Sequence, residues 1–138
     1  MVAGMDWNSR KRILAANILL IAALLLLVTF NKEYLRSAVG RGAPAEILTG
    51  CLPNFLAAFL ISMAGINAIL FRKPARGRAY AIIFSSAVFI VLAVEEIKPM
   101  WGASTFFDLF DIAASAVGSM LAVAVYELVR RRKGRLSK

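Results

Sequence analysis

Residues 13–30 read ILAANILLIAALLLLVTF, 18 residues with no charge among them. A helix over this stretch is about 27 Å long, close to the ~30 Å hydrocarbon thickness of a bilayer. A helix of a soluble bundle carries a polar stripe on its water-facing side. This one has none, because its polar side chains are Asn17 and Thr29, near the ends. The stretch therefore predicts a transmembrane helix. Arg10, Lys11 and Arg12 just before it would also suit a secretory signal, and Ala43-Pro44-Ala45 has the small-x-small form of a cleavage site. However, the apolar run exceeds the ~7–15 residues usual for a signal, and the small-residue site lies far beyond it. A retained span is expected.

Working outward, three more such runs follow. The second, 47–71, is uncharged but interrupted by Gly50, Pro53, Asn54, Gly65 and Asn67. The third is 79–95, and the fourth is about 109–129, with Asp111 one turn in and Glu127 near its other end. Residues 130–138 form a basic tail. The sequence is 60% hydrophobic and 18% charged, whereas a soluble domain runs at about 45–50% apolar. The expected fold is a single all-α membrane domain over 1–138, a polytopic bundle of four transmembrane helices with short loops. Such a chain has no room for a separate soluble catalytic domain.

Residue counts narrow the chemistry. No histidine is present, which excludes Ser-His-Asp and Cys-His triads, histidine-ligated haem and most zinc sites. Cys51 is the one cysteine, so neither an intramolecular disulfide nor a cysteine-cluster metal site is available. No metal and no cofactor is expected. The net charge of +9 resembles a nucleic-acid signal until its distribution is read. The basic residues sit in short clusters between and beyond the apolar runs, as membrane flanks do, so no nucleic-acid partner is expected.

Those flanks also set a direction. Three Lys or Arg precede the first span (Arg10, Lys11, Arg12), and three follow it (Lys32, Arg36, Arg41). Four lie between the second and third spans (Arg72, Lys73, Arg76, Arg78), Lys98 alone between the third and fourth, and six after the fourth. With both termini on one side, that side holds 13 basic residues and the other 4. The positive-inside rule then places both termini in the cytoplasm of a cell that carries the protein in its cytoplasmic (inner) membrane. The tail RRRKGRLSK reads as a topology anchor that meets anionic lipid headgroups.

The informative charges are acidic. Glu95 and Glu96 end the third span, and Asp108 and Asp111 begin the fourth, all on the predicted outer side, as is Lys98. Asn54, beside Pro53 in the outer half of the second span, is at a similar depth. Ionisable groups at membrane depth are expensive and usually face the protein interior or a wet cavity. On a helix, Asp108, Asp111, Ser115, Gly118 and Ala122 fall within about 80° of one another. That stripe opens with two carboxylates, passes a hydroxyl and continues as a small-xxx-small groove suited to close helix approach. A plainer reading competes for Asp108, since carboxylates at a helix start cap free N–H groups, and Thr105 with Asp108 has capping-box spacing. Asp111, deeper on the packed stripe, is the stronger site candidate. Glu95 and Lys98 are spaced to pair, and Lys98-Pro99 stops the helix. Pro53 frees a backbone carbonyl that a neighbouring polar group must satisfy; for Asn54 the plain reading is an interhelical hydrogen bond. Gly65, Gly118 and Ala122 read as packing surface, within the chain or between copies in a homo-oligomer. Met100, Trp101, Phe106 and Phe107 suit an interfacial segment, with Tyr34 and Tyr80 in the aromatic belt.

Glu95, Phe107-Asp108, Asp111 and Gly118, in that order and spacing, resemble the VanZ-like family of small bacterial membrane proteins. Lys98 stands where that family carries glutamine, Thr105 about where it carries arginine, and Ser115 where it carries asparagine. Leu52-Pro53-Asn54-Phe55 falls where members have a polar residue near the start of the second span. The resemblance implies four spans and a link to the cell envelope and to glycopeptide (teicoplanin) resistance. It implies no reaction.

Three functions fit these residues. The first is a non-enzymatic envelope protein with membrane lipid as its surroundings. Its outward acidic pocket, between spans 2, 3 and 4, would bind a cationic, amphiphilic or glycopeptide-related envelope component through Asn54, Glu95, Glu96, Lys98, Asp108, Asp111 and Ser115. The second is an intramembrane enzyme acting on a lipid-linked substrate, with the carboxylates as acid/base pair or metal ligands. No nucleophile, glycine-rich phosphate loop or arginine cluster accompanies them. A small transporter ranks last, because every mid-span position is uncharged.

Overall fold

Every residue that the structure, a computed structural model, describes outside its turns is helical; the described residues are 7–35, 38, 44–98 and 108–136. Helix α1 covers Trp7–Phe30 and runs into a single wide π-helical turn, Asn31–Leu35. Helices α2 (Pro44–Arg72), α3 (Gly77–Ile97) and α4 (Leu109–Leu136) follow. Their 21 to 29 residues correspond to about 31–43 Å of helix, enough to cross a bilayer with some tilt. All four are long and apolar enough to span a membrane. Each helix extends a few residues past the apolar run, since a helix need not end where the hydrocarbon does. Arg130, Arg131, Arg132, Lys133 and Arg135 thus lie on a continuation of α4, and Lys138 lies outside the described residues.

The packing is a three-helix core with a fourth helix laid on its side. Helices α2, α3 and α4 touch one another, most extensively α2 with α4, whereas α1 packs on α2 alone among the helices. Ile66, Ala81, Ala122 and Tyr126 form the buried centre, with Phe59, Met63, Ile69 and Leu70 against it. The outside is the more hydrophobic surface: Leu19 and Leu26 of α1 and Met120 of α4 are each at least 70% exposed. A soluble monomer does not expose so much contiguous apolar area. In lipid it incurs no penalty.

Register follows from a few contacts. Across the antiparallel α3–α4 pair, Arg78 Nε lies 2.9 Å from Glu127 Oε1 at one end, and Glu96 accepts a hydrogen bond from the Asp108 N–H at the other. Between α2 and α4, which run parallel, Gly118 packs on Ala58 and the Phe55 carbonyl. A Cβ at Gly118 would lie 3.1 Å from both the Ala58 Cβ and the Phe59 nitrogen. The small stripe of α4 therefore brings two backbones together, as small residues do in membrane helix pairs. Gly65 faces the Phe84 ring in the same manner between α2 and α3.

Proline does not break α2. The helix passes unbroken through Pro53. The missing N–H of residue 53 leaves the carbonyl four residues earlier, on Thr49, without its helical donor. Asn31, wholly buried in the π-helical turn, donates its Nδ2 to that carbonyl at 2.8 Å. At the other end of α2, Lys73 turns the chain with a left-handed φ of 47°. Its N–H bonds the Ile69 carbonyl at 2.9 Å, and Pro74 follows, as in a left-handed helix cap.

Candidate functional site

Three helices deliver polar or acidic groups to one end of the bundle. Asp108 immediately precedes α4 and is its N-cap, with Oδ1 accepting the Phe110 N–H at 2.8 Å. This corrects the capping box expected from Thr105. Because α4 begins at Leu109, Asp108 supplies the cap and Asp111 occupies the third helical position. In a capping box that third residue would reach back to the N-cap N–H. Here Glu96 of α3 takes the N–H instead, at 3.3 Å. The contact joins the ends of α3 and α4 and holds two carboxylates near each other.

Asp111 sits deeper. It is half-buried, and one of its carboxylate oxygens is shut off from solvent. Both Asp111 and Asp108 lie within electrostatic reach of Cys51 on α2, whose Sγ contacts the Leu48 carbonyl at 3.6 Å. The parallel register accounts for this, since Cys51 precedes Ala58 on α2 by the same seven residues by which Asp111 precedes Gly118 on α4. Asn54, one turn further along α2, is half-buried, as are Glu95 and Glu96 on α3. Lys98 is exposed at the end of α3, its N–H bonded to the Val94 carbonyl at 2.8 Å. Ser115 is buried, and its hydroxyl donates to the Asp111 carbonyl at 3.0 Å. It keeps only acceptor capacity for anything else. Gly65, Gly118 and Ala122 serve contacts within the chain.

Thus Glu96, Asp108 and Asp111 share one end of the structure, and Cys51 on α2 feels the field of the two aspartates. Cys51 was invisible as a site neighbour in the sequence, because a lone cysteine in an apolar run carries no pattern. Asn31 was missed because its partner is 18 residues away, although Pro53 announced that some donor was needed. Three further buried hydroxyls, Ser62, Ser85 and Ser119, escaped notice within their spans. Arg36, Arg41, Ala43, Pro99, Met100, Trp101, Thr105, Phe106 and Phe107 lie outside the described residues. Among the described residues, no three His, Cys, Asp or Glu side chains gather closely enough to hold a metal ion.

At the opposite end lie Arg72, Lys73, Arg76, Arg78 and Arg130, on α2, the α2–α3 turn, α3 and α4. The Arg78–Glu127 contact there is Coulombic, since Glu127 Oε1 is out of solvent and accepts no aligned hydrogen bond. Four helices long and apolar enough to cross a bilayer define a multi-pass membrane protein. Compared with known protein families, with curated proteins and with solved structures, the chain matches none.

Proposed function

We propose that the chain is a VanZ-like, non-enzymatic protein of the cytoplasmic membrane whose acidic end binds a cationic or amphiphilic component of the cell envelope. The observation that carries this reading is the Glu96 carboxylate of α3 held on the Asp108 N–H at the start of α4, one turn from a half-buried Asp111. Glu95, Asn54 and Lys98 border the same end. Capping accounts for Asp108. It does not account for Glu96 turned onto Asp108 or for a half-buried Asp111 at the α2–α4 seam. A carboxylate at membrane depth is expensive unless it is used. The resemblance at Glu95, Asp108, Asp111 and Gly118 adds an envelope setting and a link to teicoplanin. Both termini are then cytoplasmic and the acids face outward, with membrane lipid around the bundle. Any homo-oligomer uses a surface other than Gly65 and Gly118, which the chain itself occupies.

The test is expression of the wild type and of Asp111→Asn in a teicoplanin-sensitive bacterium. Asn keeps the size of the side chain and removes the charge. The expected outcome is equal membrane insertion, with raised teicoplanin tolerance for the wild type only. Equal tolerance for both, at equal insertion, overturns the reading.

A further inference from the structure

The basic end of the bundle contains a built cavity. A pocket of about 410 Å³ opens between the α2–α3 turn and α4, lined by Ile69, Lys73, Pro74, Gly77, Tyr126 and Arg130. Two cations stand at its rim. Tyr126 is only 5% exposed, yet its hydroxyl comes up against Gly77, where a Cβ would lie 2.6 Å from it. A glycine is what lets the hydroxyl reach the first residue of α3. That helix start has no side-chain cap, and its N-cap position is Arg76. The Gly77 N–H is taken by the Pro74 carbonyl at 3.0 Å, and what the helix start offers the pocket is the positive end of its dipole, which favours an anion. Lys73 lines the pocket from a left-handed backbone, φ 47°, a conformation that would suit glycine better.

We propose that this pocket is a binding site for a phosphate ester, supplied by the headgroup of an anionic phospholipid. Lys73 and Arg130 provide the charge, helped by the dipole at the start of α3, while the Tyr126 hydroxyl provides the directional donor. Depth favours a lipid source, because the candidate spans end at Arg72 and restart at Gly77, which puts the pocket at the membrane interface. So does the neighbouring surface. Ile69 and Pro74 also wall an apolar groove of about 590 Å³ along Gly65, Phe84 and Ala87, with Arg72 and Tyr80 also lining it. A headgroup in the pocket leaves an acyl chain beside that groove. The site lies at the opposite end from the acidic one and does not depend on it.

The experiment measures thermal unfolding of the purified full-length protein in a zwitterionic detergent. The added probes are dioleoylphosphatidylglycerol, dioleoylphosphatidylcholine, glycerol 3-phosphate and inorganic phosphate. The expected result is a saturable rise in midpoint with phosphatidylglycerol, and none with phosphatidylcholine or the soluble phosphates. Its half-saturating concentration should rise about tenfold in Lys73→Gly and in Arg130→Gln, the loss of one charge-assisted contact. Tyr126→Phe, which keeps the ring in the core, should weaken it by less. Lys73→Gly without lipid should unfold no earlier than the wild type, which separates lost binding from lost folding. A rise with the soluble phosphates equal to that with lipid overturns the lipid source and leaves a phosphate site. No rise with any probe, or equal half-saturation in all variants, overturns the site itself.

Discussion

At Gly118 one methyl group is enough to disturb the contact between α2 and α4. A Cβ there runs into the Phe55 carbonyl oxygen and sits 3.1 Å from the Phe59 nitrogen, so its neighbours are backbone atoms that cannot rotate away. Overpacking of this kind costs about 1–3 kcal/mol. Gly118→Ala is therefore expected to lower stability by that amount in an unfolding titration in detergent micelles. Gly50→Ala is the matched control, because a Cβ at Gly50 meets nothing within 4 Å. Alanine in the helix should there gain about 0.5–1 kcal/mol. Equal effects at the two glycines would remove the case for close α2–α4 approach. The same stripe positions Asp111, so Gly118→Ala should also weaken whatever Asp111 does, while Gly50→Ala should not.

Within α2 the decisive irregularity is Pro53. Its freed acceptor on Thr49 is satisfied across the bundle by Asn31, so helix α2 and the turn after α1 are coupled through one hydrogen bond. Asn31→Leu should cost about 1–3 kcal/mol, since it strands a buried carbonyl. Pro53→Ala restores the helical N–H, so Asn31→Leu should cost clearly less in that background. A double-mutant cycle by thermal unfolding reads the coupling, and additive effects would show that Asn31 does not serve the proline. This pair also marks the limit of what the sequence discloses. The four spans were legible, because an uncharged run of membrane length is too apolar on every side to rest anywhere but in lipid. The stripe Asp111–Ser115–Gly118–Ala122 was legible too, because helical periodicity fixes which residues share a face. Which residue answers Pro53 was not, because the donor comes from a turn 18 residues earlier and no local pattern links the two. For the same reason the spacing of Asp108 and Asp111 could not reveal that Glu96 takes the N-cap N–H. That depends on the register of α3 against α4, which is fixed at both ends by tertiary contacts.

Charge divides the whole molecule along its length. Arg72, Lys73, Arg76, Arg78 and the basic end of α4 occupy one face of the bundle, and Glu95, Glu96, Asp108 and Asp111 the other. Positive charge is held on the cytoplasmic side by the membrane potential, worth about 2.3 kcal/mol per charge per 100 mV, and by anionic lipid, worth about 1 kcal/mol per Lys or Arg. Thirteen basic residues against four therefore predict cytoplasmic termini, despite the contrary vote of Lys32, Arg36 and Arg41. A fluorescent protein fused after residue 138 should fluoresce, and alkaline phosphatase fused there should be inactive. Phosphatase inserted after residue 98 should be active, since that point lies at the acidic end. The reverse pattern would turn Glu96, Asp108 and Asp111 toward the cytoplasm. An envelope component could not then reach them from outside, and the proposed function would fail while the fold and the phosphate pocket stood. Replacing Arg72, Lys73, Arg76 and Arg78 by glutamine lowers the bias to nine against four without touching the acidic end. Orientation should loosen in that variant, with a measurable fraction of chains showing phosphatase activity at the C-terminus, because topology follows the difference in basic charge between short flanks.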